Sequence, residues 1–172
     1  AINEAMPEAL AQLRVAAASS VPEVRHQTGA AQLEPTLIAY TNAGFEPNNR
    51  LTVTAFIDDM AAAYAWADLV IGRSGASTVT EIAVAGRASI LVPYPYHKDQ
   101  QQFHNARWLS AAGAATIIEQ QLLSGDRLAA EIALLDTDRN LLLAKSRAAH
   151  ARALRHVDTR IADIMMESAH AR

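Results

Sequence analysis

Two short, wholly apolar runs constrain this chain more than anything else: Leu69-Val70-Ile71-Gly72 and Ile90-Leu91-Val92-Pro93, with a helix-compatible segment between them. Runs with no polar alternation suit strands covered on both faces, and such strands belong to parallel sheets whose crossovers are helices. The pattern continues on both sides. Glu23 to Thr28 reads as a short strand ended by Gly29, and Ala30 to Ala43 as a helix before the turn residues Gly44, Pro47, Asn48 and Asn49. Leu51 to Ile57 is β-rich, and Asp58 is placed to cap the Ala-rich helix running through Trp66, because a carboxylate accepts the free N–H groups of a first turn. Thr78 to Gly86 and Asp99 to Ala112 supply further helices, and Ala114 to Ile118 another strand closed by Glu119. Strand and helix alternate from Glu23 to Glu119, which predicts an α/β fold: an open, Rossmann-like parallel sheet.

Both ends read as helical. Ile2, Met6, Leu10 and Leu13 recur at helical spacing until Ser19-Ser20-Val21-Pro22 breaks the pattern. After Ser124 the period is wholly helical, through Leu128, Ile132 and Leu135, then Leu141 to Arg155, then Val157, Ile161 and Ile164. These helices are expected to pack on the sheet or its edge. Lys145, Arg147, Arg152 and Arg155 read as a solvated helix face, with an anionic partner as the alternative. The 172 residues, with no repeat and no low-complexity linker, suit one domain.

Composition narrows the function classes. Hydrophobic residues are 51% and charged residues 19%, so the chain can bury a core and disorder is excluded. It has no cysteine, which removes disulfides, thiolate zinc sites and a cysteine nucleophile, and fits a reducing cytoplasm. Fifteen basic and 18 acidic residues give a net charge of -3, so no general cationic surface awaits nucleic acid or anionic lipid. Any anion must be held locally. No apolar run approaches the roughly 20 residues of a membrane-spanning helix. The start, Ala1 to Met6, lacks a secretory signal and an initiator Met, and reads as a chain entered partway.

In an open α/β sheet the ligand crevice lies beyond the carboxyl ends of the strands. Two post-strand segments stand out there. In Gly72-Arg73-Ser74-Gly75-Ala76-Ser77-Thr78-Val79-Thr80-Glu81 a small-residue loop leads from a strand into a helix. Gly72 and Gly75 let a ligand approach the backbone, while Ser77, Thr78 and the N–H groups of the new helix suit an anion. Glu81 lies one turn further on, in reach of a sugar attached to that anion, and a carboxylate can accept from both ribose hydroxyls. The competing reading is a capping box, Thr78-Val79-Thr80-Glu81, and the segment alone leaves both open.

The second segment runs from Pro93-Tyr94-Pro95-Tyr96 through His97-Lys98-Asp99-Gln100-Gln101-Gln102 to Asn105. Amides both donate and accept, so Gln101, Gln102 and Asn105 suit a neutral polyhydroxyl ligand. Taken alone, the segment reads more readily as a surface helix capped by Asp99. His97 and Asp99 could form an acid/base pair, but a solvated loop histidine is the simpler account. Asp58-Asp59 reads as capping, since adjacent residues on a helix diverge and no third metal ligand is apparent. Ser74 and Ser77 lack the Gly-x-Ser-x-Gly elbow of a hydrolase, and no Gly-Lys-Ser/Thr marks a P-loop.

Together, Phe56-Ile57-Asp58-Asp59-Met60, Arg73-Ser74-Gly75-Ala76 through Glu81, and His97-Lys98-Asp99 followed by Gln101-Gln102 and Asn105-Ala106 closely resemble the MurG family. These glycosyltransferases add N-acetylglucosamine to the lipid-linked muramyl-pentapeptide precursor of bacterial peptidoglycan, converting lipid I to lipid II. The resemblance runs from Ile2 into the final helices and is most specific from Phe56 to Gln120. It implies the GT-B architecture of two Rossmann-like domains. Residues 1–172 would form the C-terminal one, which binds UDP-N-acetylglucosamine, with a helical tail from about residue 124 packed on it.

On that resemblance Ile57 contacts uracil through its backbone, Ala76, Ser77 and Thr78 hold the diphosphate, and Glu81 holds the ribose. Gln101 and Gln102 bind the hexose hydroxyls with Asn105 close by, and Arg73 lies toward the base or phosphate side. The resemblance also implies an inverting reaction; no Asp-x-Asp metal motif is recognised, so a metal-independent reaction is expected, and no other cofactor is called for. The full enzyme would be peripheral on the inner face of the bacterial cell membrane. The family's Gly-Gly-Ser loop and its strand, expected just before Ile2, and the acceptor domain with its proposed histidine base are not among these residues. This chain alone is therefore expected to be inactive. Ser77 replaces a larger apolar residue, and Tyr94-Pro95-Tyr96 makes its loop one residue longer than the family's. The alternatives are a UDP-sugar 2-epimerase-like domain and a non-catalytic nucleotide-sugar-binding module.

Overall fold

A computed structural model of the chain describes residues 1–16, 21–96, 98–154 and 157–170. In chain order the elements are α1 (Ile2–Ala16), β1 (Val24–Gln27), a 3-10 turn at 30–32, α2 (Leu33–Asn42), β2 (Leu51–Thr54), α3 (Met60–Trp66) and β3 (Leu69–Gly72). There follow α4 (Ala76–Ala85), β4 (Ala88–Leu91), α5 (Gln101–Ser110), β5 (Ala115–Ile117), a 3-10 turn at 120–122, α6 (Gly125–Thr137), α7 (Arg139–Ala151) and α8 (Val157–His170). The strands form two parallel ladders, β1-β2 and β3-β4-β5, so the predicted parallel α/β class holds.

Both apolar runs are covered on both faces, Leu69 and Ile71 of β3 packing against one apolar cluster and Val70 against the other, but only the second run is fully buried. Every residue of β4 is buried, and its side chains alternate between two apolar clusters. Ile90 and Val92 join one built from α1, α2 and α6, while Leu91 joins another built from α4, α5 and α7. Burying each of these three is worth about 1.5 to 3 kcal/mol, which makes β4 the keel of the fold. β3 is only half-buried, because it lies at the edge of its ladder with a partner on one side.

The period read in the first helix is correct: Met6, Leu10 and Leu13 are buried with Ala5 and Ala9, and α1 packs on α6. Gly125, the first residue of α6, meets Glu8 so closely that no side chain fits there. Gly86 ends α4 in the left-handed conformation at φ 62, where its N–H donates to Ala83 and that of Arg87 to Ile82.

Three local expectations need correction. Asp59, not Asp58, caps α3, its Oδ1 accepting from the Ala62 N–H at 2.8 Å. Asp99 does not cap α5, which begins after Gln100, although Asp99 does accept from the Gln101 N–H at 3.3 Å. The strand expected to reach Ile57 stops at Thr54, where the β1-β2 register ends, and residues 55–59 leave the sheet as a loop. Ser19, Ser20, His97 and Arg155 lie outside the described residues.

Candidate functional site

α4 begins two residues earlier than the sequence suggests, with Gly75 as its N-cap. The helix ladder opens with the Val79 N–H donating to the Gly75 carbonyl at 3.1 Å, so the N–H groups of Ala76, Ser77 and Thr78 precede it. Those donors and the positive end of the helix dipole suit an anion in an otherwise acidic protein. A Cβ on Gly72 would meet nothing within 4 Å, and one on Gly75 only Thr78 Oγ1 at 3.7 Å. The protein leaves that approach open.

This start also removes the capping-box reading. Thr78 is the third residue of the helix, and the Glu81 carboxylate turns instead toward α3, where its Oε2 accepts the Tyr64 hydroxyl at 3.0 Å. Glu81 is exposed, whereas Tyr64 is buried. Burial pushes the Tyr64 phenol up, and the hydrogen bond to Glu81 and its negative charge act in the same direction.

The amide-rich segment is tied to the same loop. Ser74, fully buried, donates its hydroxyl to the Gln102 carbonyl at 2.7 Å and accepts from Asn105 Nδ2 on its own carbonyl at 3.1 Å. Gln102 Oε1 accepts the Tyr94 N–H at 3.0 Å. Asn105 thus gives one N–H to the loop, whereas Gln102 Nε2 and the exposed Gln101 amide have no hydrogen-bond partner among the described residues. Gln100 enters α5 at φ 49, a left-handed conformation that costs a non-glycine residue about 1 kcal/mol and turns the chain abruptly into this first turn.

Arg73 belongs to the frame. Its Nη1 donates to the carbonyls of Val92 at 3.1 Å and Pro93 at 3.2 Å, its Nη2 to Gln120 Oε1 at 2.6 Å, and its guanidinium lies over the Tyr94 ring at 5.5 Å. One side chain thus binds the loops leaving β3, β4 and β5. Burial lowers its pKa, opposed by Tyr94. The Ile57 N–H donates to Gln27 Oε1 at 2.8 Å, which holds the loop against β1. Phe56 beside it is 72% exposed.

The model of the glycosyltransferase family 28 C-terminal domain matches residues 1–161. The chain belongs to this family. It is 44% identical over 165 residues to the UDP-N-acetylglucosamine-N-acetylmuramyl-(pentapeptide) pyrophosphoryl-undecaprenol N-acetylglucosamine transferase of Vibrio vulnificus (strain CMCP6), with 96% of this chain and 43% of that protein covered. The protein of the same description from Pasteurella multocida (strain Pm70) is 43% identical over 168 residues, covering 98% of this chain and 44% of its own. The crystal structure of MurG from Acinetobacter baumannii superposes with a TM-score of 0.81 at 37% identity, over 96% of this chain and 46% of that one. The chain spans less than half the length of these relatives.

Within this family 28 domain, sequence reasoning missed Gln27, Tyr64 and Gln120, and weighed Ser74 only as a nucleophile. Each acts through a partner at least 17 positions away, so no local spacing announces it. It also passed over one Asp-x-Asp triplet, Asp136-Thr137-Asp138, whose type can hold a metal in sugar transfer. Asp138 instead caps α7, accepting the Leu141 N–H at 2.9 Å, and Asp136 pairs with Arg139 at 3.9 Å. Arg139 also reaches Asp68, just before β3, so the triplet lies at the edge opposite the strand ends that carry the site. Among the described residues no helix is long and apolar enough to cross a membrane.

Proposed function

We propose that this domain binds UDP-N-acetylglucosamine as the donor half of a transferase that passes N-acetylglucosamine to lipid-linked muramyl-pentapeptide. The observation that carries the reading is the start of α4, where three N–H groups with no partner among the described residues sit one turn before an exposed carboxylate, in a family 28 domain. Ala76, Ser77 and Thr78 hold the diphosphate, Glu81 the ribose hydroxyls, the Ile57 carbonyl the base, and Gln101 with Gln102 Nε2 the hexose. Arg73 and Asn105 hold the loops that carry these groups.

In the reaction the acceptor hydroxyl attacks the anomeric carbon, the bond from that carbon to the UDP oxygen breaks, and the configuration inverts. Negative charge then builds on the departing diphosphate, where fixed N–H donors need no reorganisation to stabilise it. The acceptor and the base that takes its proton come from outside these 172 residues. Residues 1–172 are the C-terminal donor domain in this reading, with 124–172 as its helical flank, and the whole enzyme works at the cytoplasmic face of the membrane that holds its lipid substrate.

Glu81→Ala tests the assignment by calorimetry with UDP. Loss of a charge-assisted hydrogen bond should weaken binding by about 1.5 to 3 kcal/mol with the circular dichroism spectrum unchanged. Unchanged affinity in a folded variant would remove Glu81 from the site.

A further inference from the structure

We propose that Tyr64 is a positioning residue for nucleotide recognition, fixing the Glu81 carboxylate for the two ribose hydroxyls; the proposal rests on the ribose reading of Glu81. Glu81 stands exposed on a flexible stem, and among the described residues no cation pairs with it. Among the described residues its one side-chain hydrogen-bond partner is the Tyr64 hydroxyl at 3.0 Å. Tyr64 itself is rigidly held, 8% exposed and packed in the apolar cluster with Val79, Ile82 and Ala83 of α4. A buried, immobile donor thus grips one oxygen of a mobile, solvent-facing acceptor.

The hydrogen-bond arithmetic suits a diol. A phenol has one proton to give, and giving it to Oε2 leaves a further lone pair there and leaves Oε1 wholly free. Two acceptor sites, held in one orientation, then face the 2′ and 3′ hydroxyls. Without the anchor the carboxylate must be ordered when ligand arrives, and that entropy is subtracted from affinity. Tyr64 also sits on α3, the helix that follows the Ile57 loop, so the bond fixes the base-side element to the helix carrying the diphosphate donors.

The test uses the full-length protein that carries this sequence, with Tyr64→Phe, Glu81→Ala and the double variant, titrated with UDP and with 2′,3′-dideoxyuridine diphosphate. Phenylalanine keeps the buried ring and removes only the hydroxyl. The expected result is that Tyr64→Phe weakens UDP about 3- to 10-fold, a fraction of the effect of Glu81→Ala, and leaves the dideoxy ligand unchanged. The double variant should then match Glu81→Ala alone, because Tyr64 acts only through that carboxylate. Equal losses for both ligands, or none, in Tyr64→Phe would overturn the role of Tyr64 while a ribose-specific loss in Glu81→Ala kept the Glu81 assignment. Equal losses for both ligands in Glu81→Ala would overturn the ribose reading and this proposal with it.

Discussion

Acid should weaken this fold through a buried histidine. His26 in β1 is 8% exposed, with Nδ1 2.8 Å from the Tyr40 hydroxyl of α2 and Nε2 3.1 Å from Asn3 Oδ1 of α1. Burial lowers its pKa from the ordinary 6.5 to about 4. A depressed pKa means the fold favours the neutral ring, so the stability it confers is present above the unfolded pKa and is lost as pH falls toward the folded one. At pH 5 the unfolded chain has taken up the proton and the folded chain has not. By linkage that difference costs about 2 kcal/mol relative to pH 7, rising to about 3 kcal/mol near pH 4. Urea unfolding followed by circular dichroism at pH 7, 6 and 5 measures it in the parent and in His26→Gln. The variant should be less stable at pH 7 but lose about 2 kcal/mol less on going to pH 5. Parallel curves for the two proteins would refute the claim that the fold holds His26 neutral.

Replacing Gln101 and Gln102 together by Ala should cut affinity for UDP-N-acetylglucosamine more than affinity for UDP, at about 0.5 to 1.5 kcal/mol per lost amide contact, and so shrink the sugar preference roughly tenfold in competition titrations. Equal losses would mean that the glutamines only brace the Tyr94 loop. Gly86→Ala should cost about 1 to 2 kcal/mol in thermal unfolding, because its left-handed φ disfavours a Cβ that would also sit 3.2 Å from the His150 side chain. Ser89, fully buried in β4, has a hydroxyl without a partner among the described residues, so Ser89→Ala should raise stability by about 1 kcal/mol in the same assay.

The sequence by itself determined the parallel α/β class, the helical flanks and the two post-strand segments of the proposed site. These are legible because two of the strands sit in unalternating apolar runs, at 69–72 and 90–93, and the helices carry a regular period, both properties of neighbours along the chain. The start of α4 was legible only to within two residues: Ala76 rather than Thr78 begins it, and that shift is what frees Glu81 from its own helix end. Only the tertiary structure decided the use of each polar group. Arg73 ties its own loop to two others through Val92, Pro93 and Gln120, and Asn105 holds Ser74, although both residue types suit a ligand equally well. Tyr64 reads as one apolar-face residue of a short helix until α3 is laid against α4. A side chain's type fixes which bonds it can make, but which partner it meets depends on residues brought together across the fold, and no spacing along the chain encodes that.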